Sequence, residues 1–158
     1  MGCRMYGDWS KAGVVLKRLA TQLNPFARAK LDSCGNLILE RMRGHINSQD
    51  LAWTPLANST VKKKNGNNTI YVETGTLRDG LVVRKIKSSK DDLVIFVGAS
   101  PWKRHSPSGL KMSDLMIYME YGTETQPPRP LVEPTYEEMK DRILQEFGVE
   151  IKSFVGGA

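Results

Sequence analysis

The residues most readily drawn into acid–base chemistry are two adjacent carboxylate pairs, Asp91-Asp92 and Glu137-Glu138. Acid–base work needs two groups whose environments push their pKa values apart. Asp91-Asp92 falls in the connection between two β-branched runs, and Glu137-Glu138 on the outer side of a helix, so both pairs read as solvated surface. The histidines, His45 and His105, are scattered, and the sequence nominates no partner for His105 in its Ser- and Pro-rich stretch. Cys3 and Cys34 lie far apart and form no Cys-x-x-Cys pair, so no zinc ligand set can be written. Gly75-Thr76-Leu77-Arg78-Asp79-Gly80 lacks the glycine spacing of the Walker and Rossmann loops. There is no Gly-x-Ser-x-Gly elbow and no His-Glu-x-x-His. The expectation is a protein that is not an enzyme, with no catalytic residue, no metal ligand and no cofactor.

Charge is the unusual quantity. The 158 residues carry 23 Lys and Arg against 17 Asp and Glu, a formal net charge of +6. The surplus gathers at Lys62, Lys63 and Lys64, at Arg84, Lys85 and Lys87, and at Lys103 and Arg104. Such clusters suit salt-sensitive, sequence-independent phosphate contact or an acidic partner. Only Trp102 and His105 offer interleaved rings, and no RNP-like, KH or zinc-finger pattern accompanies them, so base readout is not indicated. The last predicted helix carries Glu133, Glu137, Glu138 and Asp141. Basic loops and an acidic helix on one subunit suit joining to copies of itself as well as to DNA.

At 40% apolar and 25% charged, the composition is that of a globular protein of about one domain. No apolar run approaches the roughly 20 residues that span a bilayer, and the opening residues lack the apolar stretch of a secretory signal, so no membrane is expected. Two cysteines fit a reducing compartment.

These residues must be positioned by few elements. Val15/Leu16, Leu19 and Leu23 follow helical spacing, and Asn24-Pro25 predicts a break. A second helix over about 26–46 places Ala27, Leu31, Cys34, Ile38 and Met42 on one stripe. Residues 47–69 read as a long exposed loop, and 100–113 as a second, basic one. The runs 81–87 and 93–97 read as a β-hairpin, and Tyr71-Val72 as a candidate short strand. Residues 113–121 fit a strand or a short helix, and Ser113 or Asp114 as a cap favours the helix. A final helix begins at Leu131, buries Tyr136, Met139, Ile143, Leu144 and Phe147, and stops at Gly148. The predicted class is α+β: a small antiparallel β-sheet packed with two N-terminal helices and a C-terminal helix, with long loops.

Four motifs occur in order: Trp53-Thr54-Pro55-Leu56 followed by Thr60; Glu73-Thr74-Gly75-Thr76-Leu77; Val97-Gly98; and Tyr118-Met119-Glu120-Tyr121-Gly122-Thr123 leading to Pro128-Arg129-Pro130-Leu131. Together they resemble the tailed-bacteriophage virion-morphogenesis family of tail-completion, neck and minor tail proteins. Tyr118 lies closer to Glu120 than in that pattern, and Leu131 follows Pro130 directly where Phe is common. The resemblance covers roughly residues 30–147. Length predicts one domain over 1–158, with an N-terminal helix over 1–24, a family-like core over 25–147 and a tail over 148–158. The resemblance implies a structural role at the head-to-tail joint, in the virion, after synthesis in the host bacterial cytoplasm. The implied partners are the chain itself in a ring, commonly a hexamer, phage connector or adaptor proteins, the tail terminator or tail tube, and genomic DNA in the channel. The residues themselves leave alternatives open. Trp53 either pins its loop to the core or meets a neighbour. Arg129, held between prolines, makes either a surface salt bridge or a bidentate contact to an adjacent subunit's carboxylate. Tyr121, Lys103 and Arg104 complete the candidate interface set.

Overall fold

In a computed structural model the described residues are 9–86, 94–106 and 108–156, with side chains over 26–85, 94–106 and 108–148. The elements are α1 (Trp9–Ser48), α2 (Asn58–Lys63), α3 (Thr76–Asp79), β1 (Leu81–Ile86), β2 (Val94–Ala99), α4 (Met112–Tyr121) and α5 (Val132–Gly156). The expected α+β class holds. The strands form a two-stranded antiparallel sheet, with Leu81 opposite Ala99 and Ile86 opposite Val94. A lone hairpin is marginal in water. This one is supported by α1, which contacts both strands and α5.

Where two N-terminal helices were expected, there is one. α1 runs through Asn24-Pro25 without a break. An interior proline removes one hydrogen bond and costs about 3 kcal/mol. Helix already propagating on both sides, rich in Ala, Leu, Lys and Arg, offsets that. The buried stripe of α1 is Cys34, Leu39, Met42 and Ile46, with Ile38 packed against the core. Gly35 sits where α1 meets the sheet: a Cβ there would lie 2.6 Å from Ile95 Cδ1 and 2.8 Å from Val83 Cγ1. The glycine is thus a packing device inside the helix. Four charged residues of α1 are engaged by other elements. Lys30 pairs with Glu146 at 3.1 Å, Asp32 with Lys85 at 2.6 Å and Arg41 with Glu138 at 2.8 Å, and Arg43 Nη2 donates to the Leu81 carbonyl at 3.1 Å.

The loop readings also change. Residues 58–63 form α2, so Lys62 and Lys63 end a short helix, and Lys64 Nζ is tied to the Thr69 carbonyl. Tyr71-Val72 is not a strand; Tyr71 is buried with φ 65°. The 100–113 connection is pinned: His105 N–H donates to the Leu110 carbonyl at 2.8 Å and Met112 N–H to Lys103 at 3.0 Å. α4 forms as expected but starts at Met112 with no side-chain cap from Ser113 or Asp114. α5 passes Gly148 and continues to Gly156. Its buried stripe is Thr135 and Met139, continued by half-buried Ile143 and Phe147 at four-residue spacing. Tyr136 and Leu144 stand one position round the helix and are exposed, contrary to the expected stripe.

Candidate functional site

Residues of the first and last motifs meet in one buried polar knot. Trp53 is 8% exposed, and its Nε1–H donates to the Pro130 carbonyl at 2.6 Å. Its ring tilts against Tyr71, with centroids 5.1 Å apart. Tyr71 OH donates to the Arg129 carbonyl at 2.6 Å. Burial, followed by the nearby Glu120 charge, pushes the Tyr71 phenol far above its ordinary pKa, so it stays a donor. Arg129 is 6% exposed, and its Nε and Nη2 donate to the Thr54 and Pro55 carbonyls at 2.8 and 3.1 Å. The alternatives open in the sequence close here. Trp53 is the pin, and the Arg129 guanidinium clamps the Trp53-Thr54-Pro55 segment from inside the same chain. Neither side chain is on the surface for a neighbour to meet.

Glu120 completes the knot, and its role was not read from the sequence. Its Oε2 accepts from Leu131 N–H at 2.8 Å and Val132 N–H at 3.0 Å, and its Oε1 from Glu133 N–H at 2.9 Å. The first turn of a helix leaves its amides without intrahelical partners. Here a carboxylate from α4 satisfies three of them, Pro134 has none to satisfy, and Thr135 N–H opens the helical pattern on the Leu131 carbonyl at 3.3 Å. Gly122 ends α4 at φ 78°, and a Cβ there would strike the Gln126 carbonyl at 2.8 Å. The chain can therefore turn and bring Arg129 back against α4, where its N–H donates to the Met119 carbonyl at 2.7 Å.

Beside the knot, β2, α4 and α5 enclose a groove of about 610 Å³. Phe96, Ile117, Tyr121, Val132 and Tyr136 line it and are all exposed, Tyr121 at 78%. Glu133 stands on its α5 wall. Tyr121, one of the expected interface residues, thus belongs to a wide apolar surface. Among the basic residues, Arg84 stacks on Trp102 with its guanidinium 3.7 Å from the ring centroid. Lys85 is paired to Asp32, and Arg104 Nη1 donates to the Gly109 carbonyl at 2.8 Å. Lys62, Lys63, Lys103 and Lys111 are exposed, with no acidic partner among the described residues. Lys87 and Asp91-Asp92 lie outside the described residues.

Two histidine sites were read as isolated and are not. His45, 1% exposed, lies at the α1–α5 contact, with Nδ1 2.6 Å from Asp50 Oδ1 and Nε2 3.1 Å from Glu138 Oε2. The His45 bond, foremost, holds the Asp50 carboxyl below its usual range, and the Arg41 guanidinium does the same for Glu138. Glu138 is therefore a partner to α1, not free surface. His105 is also buried, with Nδ1 3.0 Å from Ser108 Oγ and Nε2 3.6 Å from Glu73. Hydroxyl, imidazole and carboxylate in that order have the composition of a nucleophilic triad, but 3.6 Å exceeds hydrogen-bond reach. Ser108 Oγ also accepts from Leu110 N–H at 3.4 Å, so it closes a local turn.

Among the described residues no group of three or more His, Cys, Asp or Glu could hold a metal ion, and no helix is long and apolar enough to cross a membrane. No family model, curated protein or solved structure matches the chain.

Proposed function

We propose that this chain is a structural protein of a tailed-phage virion. It is a neck or tail-completion component that acts by assembling with itself into a ring, a hexamer in the simplest case, and docking to connector and tail proteins. The observation that carries the reading is the convergence of two of the motifs behind the family resemblance. Trp53 and Thr54, from the first motif, lock against Glu120, Arg129 and Leu131, from the last, in one knot. Their work is to fix α4 against α5, and the surface these helices share with β2 is apolar and exposed. A rigid frame holding an open apolar face suits assembly.

The test is genetic and physical. Phage lacking this product should accumulate filled heads and finished tails that fail to join, and purified wild-type particles should contain the chain in a fixed, small copy number. Joined, infectious particles made without it would overturn the proposal.

A second reading, a sequence-independent nucleic-acid-binding protein, draws on exposed Lys62, Lys63, Lys103 and Lys111. It predicts DNA affinity that falls steeply as salt rises. No binding at low salt would sink it.

A further inference from the structure

Exposed apolar side chains are concentrated in two places. Of the ten large ones among the described residues, five line the groove between β2, α4 and α5. Two more, Trp102 at 70% and Leu110 at 39%, stand on the connection from β2 to α4. The two places carry opposite charge. On α5, Glu133, Glu137 and Asp141 recur every four residues, all exposed, and form an acidic stripe that begins on the groove wall. Glu137 is bonded to Lys140, whose charge Asp141 also feels, while Glu133 has no basic partner among the described residues. On the connection, Lys103, Arg104 and Lys111 flank the two apolar side chains and are exposed.

We propose that the groove receives the β2–α4 connection of a second copy of this chain. Trp102 and Leu110 enter the apolar floor, and Lys103, Arg104 and Lys111 meet the stripe of Glu133, Glu137 and Asp141. The inference rests on the self-assembly reading above and names the surface it would use. Charge complementarity selects the occupant: a basic, aromatic-bearing segment fits an apolar groove whose wall carries Glu133 at the head of an acidic stripe, and this chain displays one. The segment is also pre-organised. The His105–Leu110 and Lys103–Met112 backbone bonds, the Arg104–Gly109 bond and the Arg84–Trp102 stack hold it, so docking orders little that was free. Donor and acceptor surfaces differ, so each copy keeps one of each after pairing. Such a heterologous contact closes into a ring when its rotation allows and otherwise propagates as a filament.

The test uses the full chain and two exposed-site variants, Ile117→Glu to block the groove and Trp102→Ala with Lys103→Glu to disable the connection. Circular dichroism checks that each folds, and sedimentation velocity reads association. Each variant alone should lose self-association by about 10-fold or more, the scale of a truncated interface anchor. Mixed one to one, they should form dimers and nothing larger, because one intact groove meets one intact connection. Glu133→Lys combined with Lys103→Glu in one chain should recover association that either reversal weakens. Variants that assemble like the parent would overturn the inference and leave the virion reading standing. Variants that fail alone and also fail when mixed would replace it with a symmetric patch-to-patch contact. A parent chain that is monomeric at its solubility limit would overturn the self-docking inference. Its presence in or absence from purified virions then decides the virion reading separately.

Discussion

Replacing Glu120 by Ala should cost this protein about 3–4 kcal/mol, a large share of a typical domain's stability. The figure is built from three amides. Leu131 is fully buried, so its N–H, deprived of Oε2, bears the desolvation penalty of an unmade bond, about 1–3 kcal/mol. The Val132 and Glu133 amides sit at an exposed helix start and turn to water, losing about 0.5–1 kcal/mol each. Removing a negative charge from the helix N-terminus adds about 0.5–1 kcal/mol. Relief of the buried carboxylate's own desolvation holds the sum in the lower half of these ranges. Glu120→Gln separates charge from shape. Its amide oxygen can keep the Leu131 and Val132 bonds, but its NH2 then confronts the Glu133 N–H, so about 1.5–2 kcal/mol should be lost. Glu124→Ala, at an exposed residue of the α4–α5 turn, serves as control and should stay within about 0.5 kcal/mol of the parent. Urea unfolding followed by tryptophan fluorescence measures all three, since Trp53 lies in the same knot. At about 2–4 °C per kcal/mol for a chain of this size, Glu120→Ala should lower Tm by roughly 10 °C. Hydrogen exchange at Leu131, Val132 and Glu133 should accelerate selectively. Equal losses for the Ala and Gln variants, or Ala within about 0.5 kcal/mol of the parent, would refute the capping argument.

Further outcomes follow from the same structure. Trp53→Phe keeps a ring beside Tyr71 but orphans the Pro130 carbonyl, and should cost about 1–2 kcal/mol by chemical denaturation; no loss would mean that the short Nε1 bond contributes nothing. Gly35→Ala gains about 1 kcal/mol of helix propensity yet forces a methyl against Val83 and Ile95, so unfolding should show a net loss of about 1–2 kcal/mol. A net gain would show that α1 and the hairpin have room to part. Asp50 and Glu138 have folded pKa values held below their unfolded ones, so the stability they confer is present above about pH 4 and drains as pH falls through the folded values. Unfolding free energy measured from neutral pH downward should fall less steeply in Glu138→Gln, and an unchanged slope would remove Glu138 from the acid response.

Part of this molecule was legible because local chemistry decides it. The hairpin forms where β-branched runs flank a polar connection, and α4 and α5 begin within a residue or two of their expected starts. Proline and glycine were the unreliable signals. Pro25 and Gly148 each lie inside a helix that continues past them, because one lost bond or a flexible residue is outweighed by neighbours that favour helix. The charged clusters misled in another way. Arg84 and Lys85 read as a cluster open to phosphate or an acidic partner, yet each is engaged by a ring or a carboxylate brought near by the fold.

The sequence by itself determined the α+β class, the hairpin and the helical stripe through Cys34 and Met42. Each of these depends on residue type and spacing within about twenty positions. Tertiary structure decided what the motif residues do. Trp53 and Pro130 are 77 positions apart, and Arg129 and Thr54 are 75 apart. No periodicity connects residues at that range, and whether an arginine serves a carbonyl inside the chain or a carboxylate outside it depends on which backbone the fold packs against it. The same holds for the groove. Tyr136 looks like core in a linear reading, and only the packing of β2, α4 and α5 around the Glu120 cap leaves it facing outward with Phe96 and Ile117.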